Sequence, residues 1–160
     1  MREFDYNGQV LSKIQAELFS EYYIYEKCSP LVFIRRFMNS DLAERFDNLF
    51  ILTEASSIYT FVEELNEQYG PTTFGNPYLY NFEALYWVGY LLRYWCYTYE
   101  INSKQLIQKI NLKKIIERYY IYHSMDPALS VQTIMEEDNI VIDNEVDVIK
   151  IIEQLKKKYH

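Results

Sequence analysis

The chain has 160 residues, enough for one domain with a sizeable core and short of two, and it carries 23 acidic against 16 basic side chains for a net charge of -7. Its 49% hydrophobic content, 18% aromatic content and 17 tyrosines exclude a disordered chain. Its two cysteines, Cys28 and Cys96, exclude a disulfide framework or a four-ligand zinc site on their own and fit a reducing cytoplasm.

Apolar residues at spacings of three and four predict a first helix from about Val10 to Tyr25, with Leu11, Ile14, Leu18, Tyr22 and Tyr25 on its buried face. Ser29-Pro30 reads as a cap followed by a first-turn proline and starts a helix over Leu31 to Met38. Ser40 caps a short helix through Phe46, and Leu49 to Leu52 reads as a strand or simply buried chain. From about Glu54 a helix with Ile58, Phe61, Val62 and Leu65 inward runs to Gly70-Pro71, and Thr72 to Asn81 is a loop. Asn81 caps an aromatic helix from Phe82 to about Tyr99. Ser103 caps a helix to about Ile110, Asn111 caps the next, and Asp126-Pro127 starts another to about Glu136. Asn139 to Ile142 reads as a short extended piece. Asn144 to Tyr159 reads as a terminal helix with Val148, Ile151, Ile152 and Leu155 inward.

Helical periods dominate, so the expected fold is all-α: a single domain over 1–160, a bundle of seven to nine helices around a central aromatic helix. The polar start, Met1 to Gly8, has no secretory pattern. The most apolar stretch, Ala84 to Tyr99, is 16 residues long, contains Arg93 and is too short to span a bilayer, which takes about 20. A cytoplasmic protein with no membrane partner is expected. The four glycines are too scattered for a phosphate-binding loop, and no metal-ligand or nucleophile motif appears, so no cofactor and no metal site is expected.

The strongest anomaly is aromatic density: 11 of the 26 residues from Phe74 to Tyr99 are Phe, Tyr or Trp. Such a stripe is ordinarily core, but tyrosines and tryptophans left at the surface make large, rigid contacts with protein partners. The candidate partner-binding residues are therefore the exposed subset of Tyr86, Trp87, Tyr90, Arg93, Tyr94 and Trp95, with Arg35, Arg36, His123 and Asp126 as second choices. Arg35 and Arg36 interrupt an apolar helix, where a structural ion pair is the simpler role.

Charge is uneven. Residues 101–118 hold Lys104, Lys109, Lys113, Lys114 and Arg118 against Glu117 alone, and residues 119–147 hold seven acids and no base. The basic segment is read first as the solvated faces of two amphipathic helices. Its alternative use is nucleic-acid binding by helices near 103–123, which the overall acidity disfavours. The acidic segment suits a basic partner. His123 beside Asp126 is the remaining catalytic candidate, although contiguous residues at a helix junction more often cap backbone.

Three strings carry a family resemblance: Ser29-Pro-Leu-Val-Phe-Ile-Arg-Arg-Phe-Met-Asn-Ser-Asp41, Leu85-Tyr-Trp-Val-Gly-Tyr-Leu-Leu-Arg-Tyr-Trp-Cys-Tyr-Thr-Tyr99 and Tyr122-His-Ser-Met-Asp-Pro127. They resemble small cytoplasmic proteins of Gram-positive bacteria and their mobile elements, associated with operons for ADP-ribosyltransferase-like toxins. The resemblance implies a toxin-antitoxin or immunity role, with this acidic chain as the neutralising partner, and carries over no catalytic residue. The expected function is thus a non-enzymatic antitoxin-like protein that binds a cognate toxin. A DNA-binding operon regulator and a small enzyme using His123 are the alternatives, and a homo-oligomer stays open.

Overall fold

Two long helices, Tyr6–Glu21 (α1) and Phe82–Tyr99 (α5), form the antiparallel axis of the molecule. A computed structural model describes residues 1–142 and 155–158. Residues 1–142 contain nine α-helices, two 3-10 turns and no strand. The remaining helices are Pro30–Met38 (α2), Asp41–Asp47 (α3), Ile58–Tyr69 (α4), Ser103–Lys109 (α6), Leu112–Glu117 (α7), Tyr119–Tyr122 (α8) and Pro127–Glu137 (α9).

The close approach of α1 and α5 follows from small residues. Gly8, Ser12, Ala16 and Ser20 recur every fourth position of α1 and are all buried, which makes one flank of that helix flat. Gly89 of α5 fits against it: a Cβ there would lie 2.8 Å from the Ala16 Cα and 2.9 Å from the Gln15 carbonyl oxygen. Near the other end of the pair Gly8 makes room for the Tyr97 ring, whose hydroxyl donates to Asp5 at 2.6 Å. On a second flank of α1, Leu11 and Leu18, with Tyr22 just beyond the helix, join Phe33 and Phe37 of α2, Phe46 of α3 and Phe61 of α4 in the core, where Phe19, Phe37 and Phe46 meet edge to face.

Caps set the boundaries. Ser29 accepts the Leu31 N–H, Ser40 the Ala43 N–H at 3.1 Å and Asn81 the Ala84 N–H at 2.7 Å, as the caps in the sequence require. Four local expectations change. Helix α1 begins at Tyr6 because Asp5 caps it, and it ends at Glu21 in a 3-10 turn, Tyr22–Ile24, that turns Tyr25 outward. Leu49 to Leu52 is neither strand nor wholly buried: Leu49 is left-handed at φ 69° and Phe50–Thr53 is a 3-10 turn with only Ile51 inside. Asn102, not Ser103, caps α6, in a reciprocal box with Gln105 that leaves the Ser103 hydroxyl for the core. Of the expected extended piece at 139–142, Asn139 is left-handed at φ 53° and residues 140–142 belong to no helix or strand. The expected terminal helix lies mostly outside the described residues, as do Asp143, Glu145 and Asp147 of the acidic segment. Residues 155–158 are helical, and Leu155 is 50% exposed rather than inward.

Among the described residues no helix is long and apolar enough to cross a membrane.

Candidate functional site

Helix α5 divides into two halves. From Leu91 to Thr98 every residue is buried, enclosed by its neighbours, while from Phe82 to Tyr90 one side faces outward. The outward side forms the floor of a groove of about 730 Å³. One wall is the end of α1 and the turn that follows it, with Ser20, Glu21, Tyr23 and Ile24. The other is Tyr119 of α8, His123, Met125 and Pro127 at the start of α9.

The lining is aromatic and partly locked. The Tyr23 ring stacks on Phe82 at 4.4 Å with an interplanar angle of 9°. Trp87 meets Tyr119 edge to face at 6.0 Å, and Tyr119 in turn lies 4.6 Å from the His123 ring. Tyr86 is 39% exposed, and Trp87 and Tyr90 are half-buried. Burial first, and then the charge of Glu17, hold the Tyr86 phenol above its ordinary value, and burial does the same for Tyr90. Both are therefore neutral hydroxyls at physiological pH. The groove thus gathers Tyr86, Trp87, Tyr90 and His123 from the candidates, together with Tyr23, Phe82 and Tyr119, whose role sequence spacing did not disclose.

The other half of α5 corrects the candidate set. Arg93, Tyr94 and Trp95 are buried and cannot meet a partner. Arg93, 1% exposed, is the hub of a polar network: Nε donates to Gln15 Oε1 at 2.8 Å, and Nη1 and Nη2 donate to Asp47 Oδ1 at 2.6 Å and to Ser103 Oγ at 2.7 Å. Ser103 donates its own hydroxyl and amide to Asp47, and Gln15 Nε2 donates to the Gly89 carbonyl at 2.9 Å. One guanidinium therefore joins α1, α3, α5 and α6, a structural use in which each of its three nitrogens donates a hydrogen bond.

The remaining candidates separate as follows. Arg36 makes no ion pair among the described residues: it donates to the Gly70 carbonyl at the end of α4 and lies over the Tyr69 ring at 5.1 Å, while Arg35 is exposed. Asp126 is taken up in capping α9 by accepting the Ala128 N–H at 2.8 Å. His123 Nδ1 faces the Tyr119 carbonyl at 2.8 Å, a geometry that makes that nitrogen the N–H donor, and the ring pairs with no carboxylate among the described residues. The two residues do not form a dyad. Burial pushes the Cys28 thiol up to about 11 and the Cys96 thiol up to about 12, so neither is a nucleophile at neutral pH.

The basic segment is partly neutralised by the fold. Arg118 is buried between Asp138 and Glu137, Lys114 pairs with Asp138 at 3.1 Å, and Lys109 reaches the Val141 carbonyl at 3.4 Å. Lys104 and Lys113 are exposed. No cluster of three or more His, Cys, Asp or Glu arranged to hold a metal occurs among the described residues. Comparison with known protein families, with curated proteins and with solved structures finds no match for this chain.

Proposed function

We propose that this chain is a non-enzymatic, antitoxin-like protein that captures a partner protein on the aromatic groove between α1, α5 and α8. The observation that carries the reading is the convergence in one open groove of Tyr86, Trp87 and Tyr90 with Tyr23, Phe82, Tyr119 and His123. A concave, mostly apolar surface with a few polar edges suits the anchoring side chains of a partner, and exposed Tyr and Trp are the residue types that contribute most there. The family resemblance of the three strings adds the kind of partner, an ADP-ribosyltransferase-like toxin encoded beside this chain.

Other readings draw less support. Catalysis at His123 draws no support from the candidates nearest to it in kind: Asp126 is committed to its helix cap and both thiols are buried. DNA binding by α6 and α7 would have to proceed with Arg118 already engaged by carboxylates on a chain of net charge -7. Co-expression tests the proposal. The chain should relieve the toxicity of the neighbouring gene product and co-purify with it, and the double variant Tyr86→Ala/Trp87→Ala should lose both effects while remaining folded. Neutralisation that survives the double variant, or absence of any complex, overturns it.

A further inference from the structure

The chemistry of the groove is more specific than its aromatic lining. Three carboxylates belong to the surroundings of Tyr86 on the floor: Glu17 and Glu21, one turn apart on α1, and Glu83, one turn before it on α5. Glu21 and Glu83 line the groove, and Glu17 is close enough for its charge to act on the Tyr86 phenol. None of the three pairs with a lysine or arginine among the described residues, whereas Glu54, Glu64, Glu100, Glu137, Asp47 and Asp138 all do. Glu83 receives only a long hydrogen bond from the Tyr119 hydroxyl, at 3.4 Å.

Among the described residues no lysine or arginine lines the groove. Lys27 lies over the Tyr23 ring at 5.1 Å and the Tyr78 ring at 5.9 Å. With Phe82 stacked on it and Lys27 over it, Tyr23 has its ring faces occupied. Tyr86 packs against no other ring among the described residues and is 39% exposed.

On the strength of the partner-binding reading, on which this inference rests, we propose that the groove selects an arginine side chain carried on an apolar segment of the partner. The guanidinium lies against Tyr86 and is shared by Glu17, Glu21 and Glu83, while the flanking apolar residue fills the Trp87–Tyr90–Leu91 floor. Arginine is favoured over lysine because its plane stacks on a phenol ring, is weakly hydrated and can face two carboxylates at once. An anionic segment is repelled by the same three groups.

The test uses the whole chain and three capped dipeptide amides, acetyl-Leu-Arg, acetyl-Leu-citrulline and acetyl-Leu-Glu, titrated by the emission of Trp87 against the constant background of buried Trp95. The arginine peptide should bind about tenfold more tightly than its neutral citrulline isostere, and the glutamate peptide more weakly than both. Raising the salt concentration should narrow the preference. The triple variant Glu17→Gln/Glu21→Gln/Glu83→Gln should abolish it, and Glu67→Gln, on α4 outside the lining, should keep it. Equal binding of arginine and citrulline, a preference that survives the triple variant, self-association in place of peptide binding, or no binding of any of the peptides overturns the inference. Toxin neutralisation separates this failure from that of the functional reading. If the Tyr86→Ala/Trp87→Ala double variant loses neutralisation and the triple glutamine variant does not, the groove remains the partner site and arginine selection falls. If neither loses it, the partner reading falls, and peptide selectivity is still decided on the isolated chain.

Discussion

The two halves of α5 are made of nearly the same residue types and do opposite things. From Leu91 to Thr98 the helix carries Tyr94, Trp95 and Tyr97 into a sealed interior organised by Arg93. From Phe82 to Tyr90 it carries Tyr86, Trp87 and Tyr90 along an open groove. What differs is the neighbours: the second half is tied by Arg93 to Ser103 of α6 and packs Tyr97 against Gly8 near the start of α1, and the first half is flanked by Tyr119 of α8 and the turn after α1. Aromatic density therefore marks where large surfaces are needed, and the topology around the helix decides whether those surfaces become core or interface.

Substitutions on either side of this division should separate stability from recognition. The largest expected effect is at Arg93. Arg93→Ala leaves Asp47 and Gln15 without their buried partner and should lower stability by about 3–5 kcal/mol in urea denaturation, because an uncompensated charge remains. Gly89→Ala comes next, at about 1–3 kcal/mol, since the added methyl meets the backbone of Ala16 and Gln15 rather than a movable side chain.

Asp138→Asn should cost about 1 kcal/mol at neutral pH by weakening the link between α7 and the end of α9. Hydrogen bonds from Arg118, and then from Lys114, hold the Asp138 carboxyl below its ordinary value of 3.8. Its contribution is thus fully present above that value and lost as pH falls further, through the folded-state pKa. The difference in urea midpoint between wild type and Asp138→Asn should accordingly shrink on acidification below pH 3.8. The smallest effect is at Tyr86: Tyr86→Ala should stay within about 0.5 kcal/mol of wild type while removing partner binding. A Tyr86 variant as unstable as Arg93→Ala would show the groove residues to be core.

Most of the architecture is legible because it is local. Ser29-Pro30, Ser40, Asn81 and Asp126-Pro127 each act on the N–H groups of the next turn, so neighbouring residues suffice to read them. Ser103 is the instructive miss. It stands beside Asn102, and both are capping types, but only Asn102 has Gln105 three positions on to complete the box. The misplacement of Arg93 has a different cause: its partners Asp47 and Gln15 are 46 and 78 positions away, and no local pattern announces a pairing made by tertiary structure. The groove was half visible. Tyr86, Trp87 and Tyr90 share one helix, whereas Tyr23 and Tyr119 reach it from segments 59 or more positions from Phe82 or 32 or more from Trp87, respectively.

The pairing of α1 with α5 has a kinetic consequence. Gln15 and Gly89 are 74 positions apart, so the floor and first wall of the groove meet only after a long loop has closed, and the second wall waits for residues near 119–127. No subset of consecutive residues can display the binding surface early during synthesis. Capture of a ligand then reports completed folding, and because only the native state offers the groove, an occupant at a hundred times its dissociation constant would stabilise the whole chain by about 2.7 kcal/mol.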